Sequence, residues 1–171
     1  MSDAGTAQEA FESLKRNFDM AMQHAAHAQH HINVSRRDYL RAEALKDANI
    51  LGRAHTNVVT AYGGFLPFTQ IIEPCGRGFA LIKAGEVGGD ELVKFLDEAN
   101  NVPDEVDSAA SSFQNDLIEV ATLLAGVAGN HRDVEQARAK LQKSIKLLPM
   151  VREKASAART ALENFRQAIA S

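Results

Sequence analysis

The chain has 171 residues, of which 45% are hydrophobic and 24% are charged, a composition that is typical of a folded domain and excludes a disordered protein. The net charge of -3 gives no reason to expect binding to nucleic acid or to a membrane surface. The single cysteine, Cys75, has no partner for an internal disulfide, and no leader-like segment or long apolar run is present. We therefore expect one domain over residues 1–171 in the cytoplasm, with secretion without a cleaved leader as the open alternative.

The first segment has apolar residues at alternating steps of three and four, which is the pattern of a heptad seam on a helix. This seam comprises Phe11, Leu14, Phe18, Ala21, Ala25, Ala28 and Ile32. A shifted apolar stripe follows from Leu40 to Ala61, and Gly63-Gly64 predicts the end of the helical segment. Residues 7–62 are therefore predicted to form either one long helix or a pair of helices.

Residues 63–89 differ in character, because Gly and Pro interrupt short apolar runs. We predict an irregular apolar connector over this range. Its large apolar side chains are those of Phe65, Leu66, Phe68, Ile71, Ile72 and Phe79. One hypothesis is that they complete the core or contact a partner. The other is that residues 58–82 insert into a membrane, since their composition is similar to that of the hairpins of helical pore-forming proteins. The first is favoured, because the charged residues and prolines of the segment are costly to place in lipid.

Three helices are predicted in the rest of the chain. A short helix covers residues 90–100, a longer one covers 104–128, and a C-terminal helix covers 131–170 with a kink or break at Pro149. The predicted fold is therefore all-α. It is a four- or five-helix antiparallel bundle with long heptad-patterned helices and an irregular Gly/Pro-containing middle segment.

Charge is segregated along the chain. Residues 86–119 contain ten acidic residues and one basic residue, whereas residues 131–171 contain nine basic and four acidic residues. In one interpretation the two helices pack as neighbours with complementary flanks, which fixes their register more than it adds stability. In the other, a basic face binds an acidic partner or nucleic acid. That face comprises Arg132, Lys140, Lys143, Lys146, Arg152, Lys154 and Arg159. The first is favoured, because no aromatic residues accompany the basic ones for base stacking.

Four of the six histidines lie in one short run, from His24 to His31. His24, His27 and His31 are spaced by three and four residues, so they share one flank of the first helix. Imidazole pairs at this spacing can chelate Zn, Ni or Cu, and a His-rich flank can also contact haem. A complete metal site requires another ligand from a neighbouring helix, such as His55, His131 or an acidic residue. The alternative, which is favoured, is a solvated helix flank that is rich in histidine without a metal-binding function.

No catalytic constellation is visible. The di-iron Glu-x-x-His pairs, the His-Glu-x-x-His zinc motif, the phosphate-binding loops and the nucleophile elbow are all missing from the sequence. We therefore expect a non-enzymatic interaction or assembly protein that acts through its helix surfaces. Long seams often pair with a second copy, so a homo-oligomer or another protein partner is expected. A metal- or haem-binding bundle and a membrane-active protein are the two alternatives.

Overall fold

The computed structural model describes residues 2–171, and these contain six α-helices, one short 3-10 helix and no strand. The predicted all-α helical bundle is confirmed. The helices are α1 (Asp3–Arg41), α2 (Leu45–Phe65), α3 (Thr69–Lys83), α4 (Gly89–Ala99), α5 (Val102–Ala125) and α6 (Arg132–Ala170), with the 3-10 helix at Leu66–Phe68.

The helices are organised in two compact units. Unit 1 consists of the N-terminal residues up to Asp19, together with Pro67–Ala110 and Pro149–Ser171. Unit 2 consists of Met20–Leu66 and Ser111–Leu148. Three helices, α1, α5 and α6, contribute residues to both units.

The α1 seam is buried inside the chain. All seven of its residues, from Phe11 to Ile32, have no exposed surface. Each fully buried Leu, Ile or Phe side chain contributes about 1.5–3 kcal/mol of transfer free energy, so this face drives the folding of the single chain. The seam is therefore not available for pairing with a second copy.

Residues 7–62 form parts of two helices, which decides between the two predicted possibilities. The break lies at Glu43, whose φ of 59° is in the left-handed region. The Ala44 N–H donates to the Tyr39 carbonyl at 3.0 Å, and the Glu43 N–H donates to the Leu40 carbonyl at 3.1 Å. These two bonds make a Schellman motif, in which the left-handed position is usually taken by Gly. Because Glu occupies it here, the break is not visible in the sequence.

The prediction of an irregular connector at 63–89 is wrong for most of that range. Helix α2 continues through Gly63-Gly64 to Phe65, and α3 is a regular helix despite Pro74. The Phe65 ring stacks on Phe113 with 4.6 Å between centroids, and this packing outweighs the helix penalty of about 1 kcal/mol for each glycine. Within residues 63–89, only residues 84–88 have non-helical backbone. The extra helix α3 raises the number of α-helices above the four or five expected.

The glycines of α3 allow close packing and do not form turns. A Cβ atom on Gly78 would lie 2.1 Å from the ring of Phe95 on α4, so only a glycine lets the two helices approach this closely. Phe95 in turn packs edge-on against Phe79, with 5.1 Å between ring centroids.

The last three helices follow the sequence prediction more closely. Helix α4 matches the predicted 90–100 segment, and α5 carries Pro103 in its first turn, where a missing N–H costs little. Helix α6 continues through Pro149, so the predicted alternative of a break is wrong. A proline removes one intrahelical hydrogen bond, and the fully buried neighbours Leu148 and Val151 hold the chain in helical register.

Candidate metal centre

Two helices of unit 2 bring the polar residues of the site together. The hydroxyl of Ser144 on α6 donates to the carbonyl of Ala21 on α1 at 2.8 Å. Further along α1, His31 lies opposite Asp133 at the start of α6. Rising residue numbers in α1 pair with falling numbers in α6, so the two helices run antiparallel in this unit. The C-terminal turns of α1 therefore face the first turn of α6.

Three side chains converge at this position, and we call them the carboxylate–histidine cluster. They are Asp38 from α1, His131 from the residue before α6, and Asp133 from its first turn. One ligand atom from each lies within 4.8 Å of the other two. Within residues 2–171, this is the one group of three or more His, Cys, Asp or Glu side chains that meets this distance. The side chains are 23% exposed at His131, 24% at Asp133 and 41% at Asp38, so an ion can reach them from solvent.

His131 is positioned by its role as the N-cap of α6. Its Nδ1 accepts the backbone N–H of Asp133 at 3.1 Å, which satisfies one of the free amide donors at the helix start. A neutral ring that accepts at Nδ1 carries its proton on Nε2. That Nε2 lies 3.0 Å from Asp38 Oδ2 and donates to it. The carboxylate of Asp133 lies in the first turn, where the helix dipole favours a negative charge.

His31 supports the cluster from α1. Its Nδ1 lies 2.8 Å from Asp133 Oδ1 and donates to it, which orients that carboxylate. Carboxylates and imidazoles that bind metal ions are usually held by such a second set of hydrogen bonds. No hydrogen bond to the second carboxylate oxygen of Asp133 is present within residues 2–171, so that oxygen is available as a ligand.

Tyr39 holds the backbone just before the site. Its hydroxyl donates to the Ala128 carbonyl at 2.8 Å, and its ring lies 5.4 Å from the His131 ring, centroid to centroid. Burial and the nearby Asp47 carboxylate raise the pKa of Tyr39, so the hydroxyl keeps its proton and stays a donor.

The donor set suits a divalent transition metal. Two carboxylate oxygens and one imidazole nitrogen are ligands that Zn²⁺ accepts, with a fourth position left for water. Tetrahedral Zn²⁺ with bonds of about 2.1 Å separates its ligand atoms by about 3.4 Å. The three ligand atoms, which now lie within 4.8 Å of one another, would have to move closer to reach that spacing.

The predicted histidine flank is only partly brought to this site. His31 supports the cluster, whereas His27 is exposed to solvent. His24 lies near Lys140 and Lys143, and its buried Nδ1 has no hydrogen-bond partner. Burial, followed by the two lysine charges, lowers the pKa of His24. A cation beside it would be repelled by the same lysines. The sequence signal for the carboxylate–histidine cluster was the His-x-Asp spacing at the start of α6, together with Asp38 on α1.

Two residues of the predicted basic face form ion pairs with acidic residues of α5. In unit 1, Arg152 contacts Asp107 at 2.9 Å and Arg159 contacts Asp104 at 3.1 Å. These contacts match the interpretation of complementary flanks. The remaining members of the face are exposed or half-buried on α6, namely Arg132, Lys140, Lys143, Lys146 and Lys154.

The apolar side chains of the middle segment are divided between core and surface. Phe65, Ile72 and Phe79 are buried, whereas Leu66 is 42% exposed. Phe68 and Ile71 are half-buried. None of the helices within residues 2–171 is long and apolar enough to cross a membrane. The buried members serve the core, as the favoured hypothesis expected.

Comparison with known proteins gives no relative for this chain. No protein-family model, no curated protein and no solved structure is significantly similar to it. The chemistry of the site therefore has to be argued from its own residues.

Proposed function

We propose that this protein is a non-enzymatic helical bundle that binds one divalent transition-metal ion, with Zn²⁺ as the best-fitting ion. Asp38, His131 and Asp133 are its ligands, and His31 is a positioning residue. The observation that supports this proposal is the convergence of three ligand atoms, from two helices, within 4.8 Å of one another. Two carboxylates and a neutral imidazole also balance the charge of a divalent ion.

An ion held by His131 Nε2 would displace the proton that this nitrogen now donates to Asp38. The ring would then carry its proton on Nδ1, so the capping hydrogen bond from the Asp133 amide would be lost as well. The bonds of Asp38, His131 and Asp133 to the ion would have to outweigh both losses. The role of the ion is to tie these two segments of unit 2 together.

The test is isothermal titration calorimetry of untagged, chelator-treated protein with Zn²⁺. Absorption spectroscopy of the protein with Co²⁺ follows. We expect one ion per chain with sub-micromolar affinity. Asp133→Asn and His131→Gln remove a ligand and lower that affinity, while His31→Ala lowers it about 10–100-fold through lost positioning. The matched controls are His27→Ala and His30→Ala, which remove exposed histidines of the same helix and leave the affinity unchanged.

Two results would overturn the proposal. The first is wild-type protein that binds no Zn²⁺, Co²⁺, Ni²⁺ or Cu²⁺. The second is binding that survives Asp133→Asn but disappears in a His24→Ala, His27→Ala double variant. That second result would place the metal on the histidine flank of α1.

Self-association is a separate proposal, and it rests on exposed apolar side chains outside the α1 seam. Val93 and Ile169 in unit 1 are 58% and 50% exposed, and Leu45 in unit 2 is 60% exposed. Native mass spectrometry measures the subunit number directly. A single-chain mass at micromolar concentration contradicts this proposal without affecting the metal site.

A further inference from the structure

A polar groove lies between α1 and α2 in unit 2, and the metal proposal does not use it. It has a volume of about 570 Å³, which is within the usual range for sites that bind small organic molecules. Arg36 reaches it from α1, and Arg53 reaches it from α2. Asn49, Thr56 and Asn57 supply further polar groups along its α2 wall.

The two arginines have unused donors. Arg36 Nε is buried and has no hydrogen-bond partner. Its side chain lies across Gly52, with Cδ 3.8 Å from where a Cβ on that glycine would stand. Within residues 2–171, neither Arg36 nor Arg53 takes part in an ion pair. A buried guanidinium donor without an acceptor is unfavourable. Because Arg36 Nε itself is not open to solvent, a ligand in the groove would be held by the terminal nitrogens of Arg36 and Arg53.

We propose that this groove binds a small-molecule phosphate monoester, with the guanidinium groups of Arg36 and Arg53 holding the phosphate. Two positive charges match the two negative charges of a phosphate monoester, and the planar guanidinium matches its oxygen spacing. Leu40 and Ala48 provide an apolar wall for the organic part of the ligand. Asn49 and Asn57 bind its polar groups.

The surroundings agree with an anion site. Burial, then the charges of Arg36 and Arg37, lower the pKa of His55 on α2. These two guanidinium groups therefore impose a positive field on His55. A bound dianion offsets that field and raises the pKa of His55, which gives a readout independent of the arginines themselves.

The experiment is an amide NMR titration of ¹⁵N-labelled full-length protein with phenyl phosphate and, separately, with inorganic phosphate. A chelator is present throughout, so the outcome does not depend on the metal site. We expect saturable shifts at Asn49, Gly52 and Asn57, tighter binding of phenyl phosphate than of inorganic phosphate, and a raised His55 pKa in the bound state.

Three variants, each of which removes one positive charge, test where the ligand binds. Arg53→Gln changes an exposed side chain that folding does not need, and it lowers the affinity about tenfold because a charged hydrogen bond is lost. Arg36→Gln does the same or more. Arg37→Gln is the control, because this exposed neighbour does not line the groove, and it lowers the affinity much less than either of the other two variants. Shifts that do not saturate, shifts outside the groove, or an equal loss in Arg37→Gln would overturn the proposal.

Discussion

Gly78 shows how a single residue decides helix packing in unit 1. A Cβ at this position would lie 2.1 Å from the Phe95 ring. We predict that Gly78→Ala lowers the free energy of unfolding by up to about 2 kcal/mol, because a contact this short lies at the upper end of the overpacking cost of about 1–3 kcal/mol and the better helix propensity of Ala recovers about 1 kcal/mol. Urea denaturation monitored by circular dichroism measures the change.

Gly63 and Gly64 are the matched controls for that substitution. Both are exposed positions within α2, and a Cβ on either would meet nothing within 4 Å. Replacing either by Ala therefore raises the free energy of unfolding by about 0.5–1 kcal/mol. If Gly78→Ala is also stabilising, then α3 and α4 do not approach each other as closely as the structure describes.

His24 makes the stability of unit 2 depend on pH. Burial and the charges of Lys140 and Lys143 lower its pKa in the folded state below the ordinary value of 6.5. As the pH falls through that value, the unfolded chain takes up a proton that the folded chain does not, so stability is full above it and declines below it. We predict that His24→Gln loses less stability than wild type between about pH 7.5 and about pH 5.5. Urea unfolding at both values measures this, and identical losses would contradict it.

The candidate site was only partly predictable at this scale. Sequence spacing placed His31 on a helix and allowed His131 as a ligand from elsewhere. It did not select Asp38 or Asp133 from the many acidic residues, because the sequence of one helix does not specify its distance from another helix. The same spacing placed His24 and His31 on one flank, although lysines of α6 surround the first and a carboxylate meets the second.

At the scale of the elements, the break between α1 and α2 depends on one strained residue. Glu43 adopts the left-handed conformation at φ 59°, which costs a non-glycine residue about 1–2 kcal/mol. We predict that Glu43→Gly raises the free energy of unfolding by about 1 kcal/mol, because glycine adopts this conformation without the Cβ penalty. Glu43→Ala keeps the Cβ and is the control, with no gain expected. Thermal unfolding measures both effects. Equal changes in stability for Glu43→Gly and Glu43→Ala would contradict the left-handed conformation of residue 43.

Helix α3 shows why the middle segment was mispredicted. Its buried residues Ile72, Cys75, Gly76 and Phe79 follow helical spacing, so the periodicity was present in the sequence. Gly and Pro were taken as turn signals, as they are in most contexts. Contacts of Phe79 with the Phe11, Phe95 and Phe165 rings, at centroid distances of 5.8, 5.1 and 5.3 Å, hold the segment helical. Local propensity was overridden by tertiary packing.

At the scale of the whole molecule, the proposed metal binding would be linked to folding. An ion that binds the folded chain alone raises the free energy of unfolding by about 2.7 kcal/mol when its free concentration is 100 times its dissociation constant. We predict this gain for Zn²⁺ with wild-type protein and a much smaller gain with Asp133→Asn at the same free Zn²⁺ concentration. Thermal unfolding across a buffered Zn²⁺ series measures it. Equal stabilisation of both proteins would show that the ion binds elsewhere.

The sequence by itself determined the all-α class, the buried seam of α1 and the positions of α4 and α5, because these depend on periodicity and composition within one segment. The complementary charge of α5 and α6 was also visible before any contact was known. Only the tertiary structure decided the helical state of residues 69–83, the break at Glu43, the proximity of Asp38, His131 and Asp133, and the groove between Arg36 and Arg53. Each of these depends on contacts between residues far apart in the chain, or on a backbone conformation that the residue type disfavours. Local pattern carries neither kind of information.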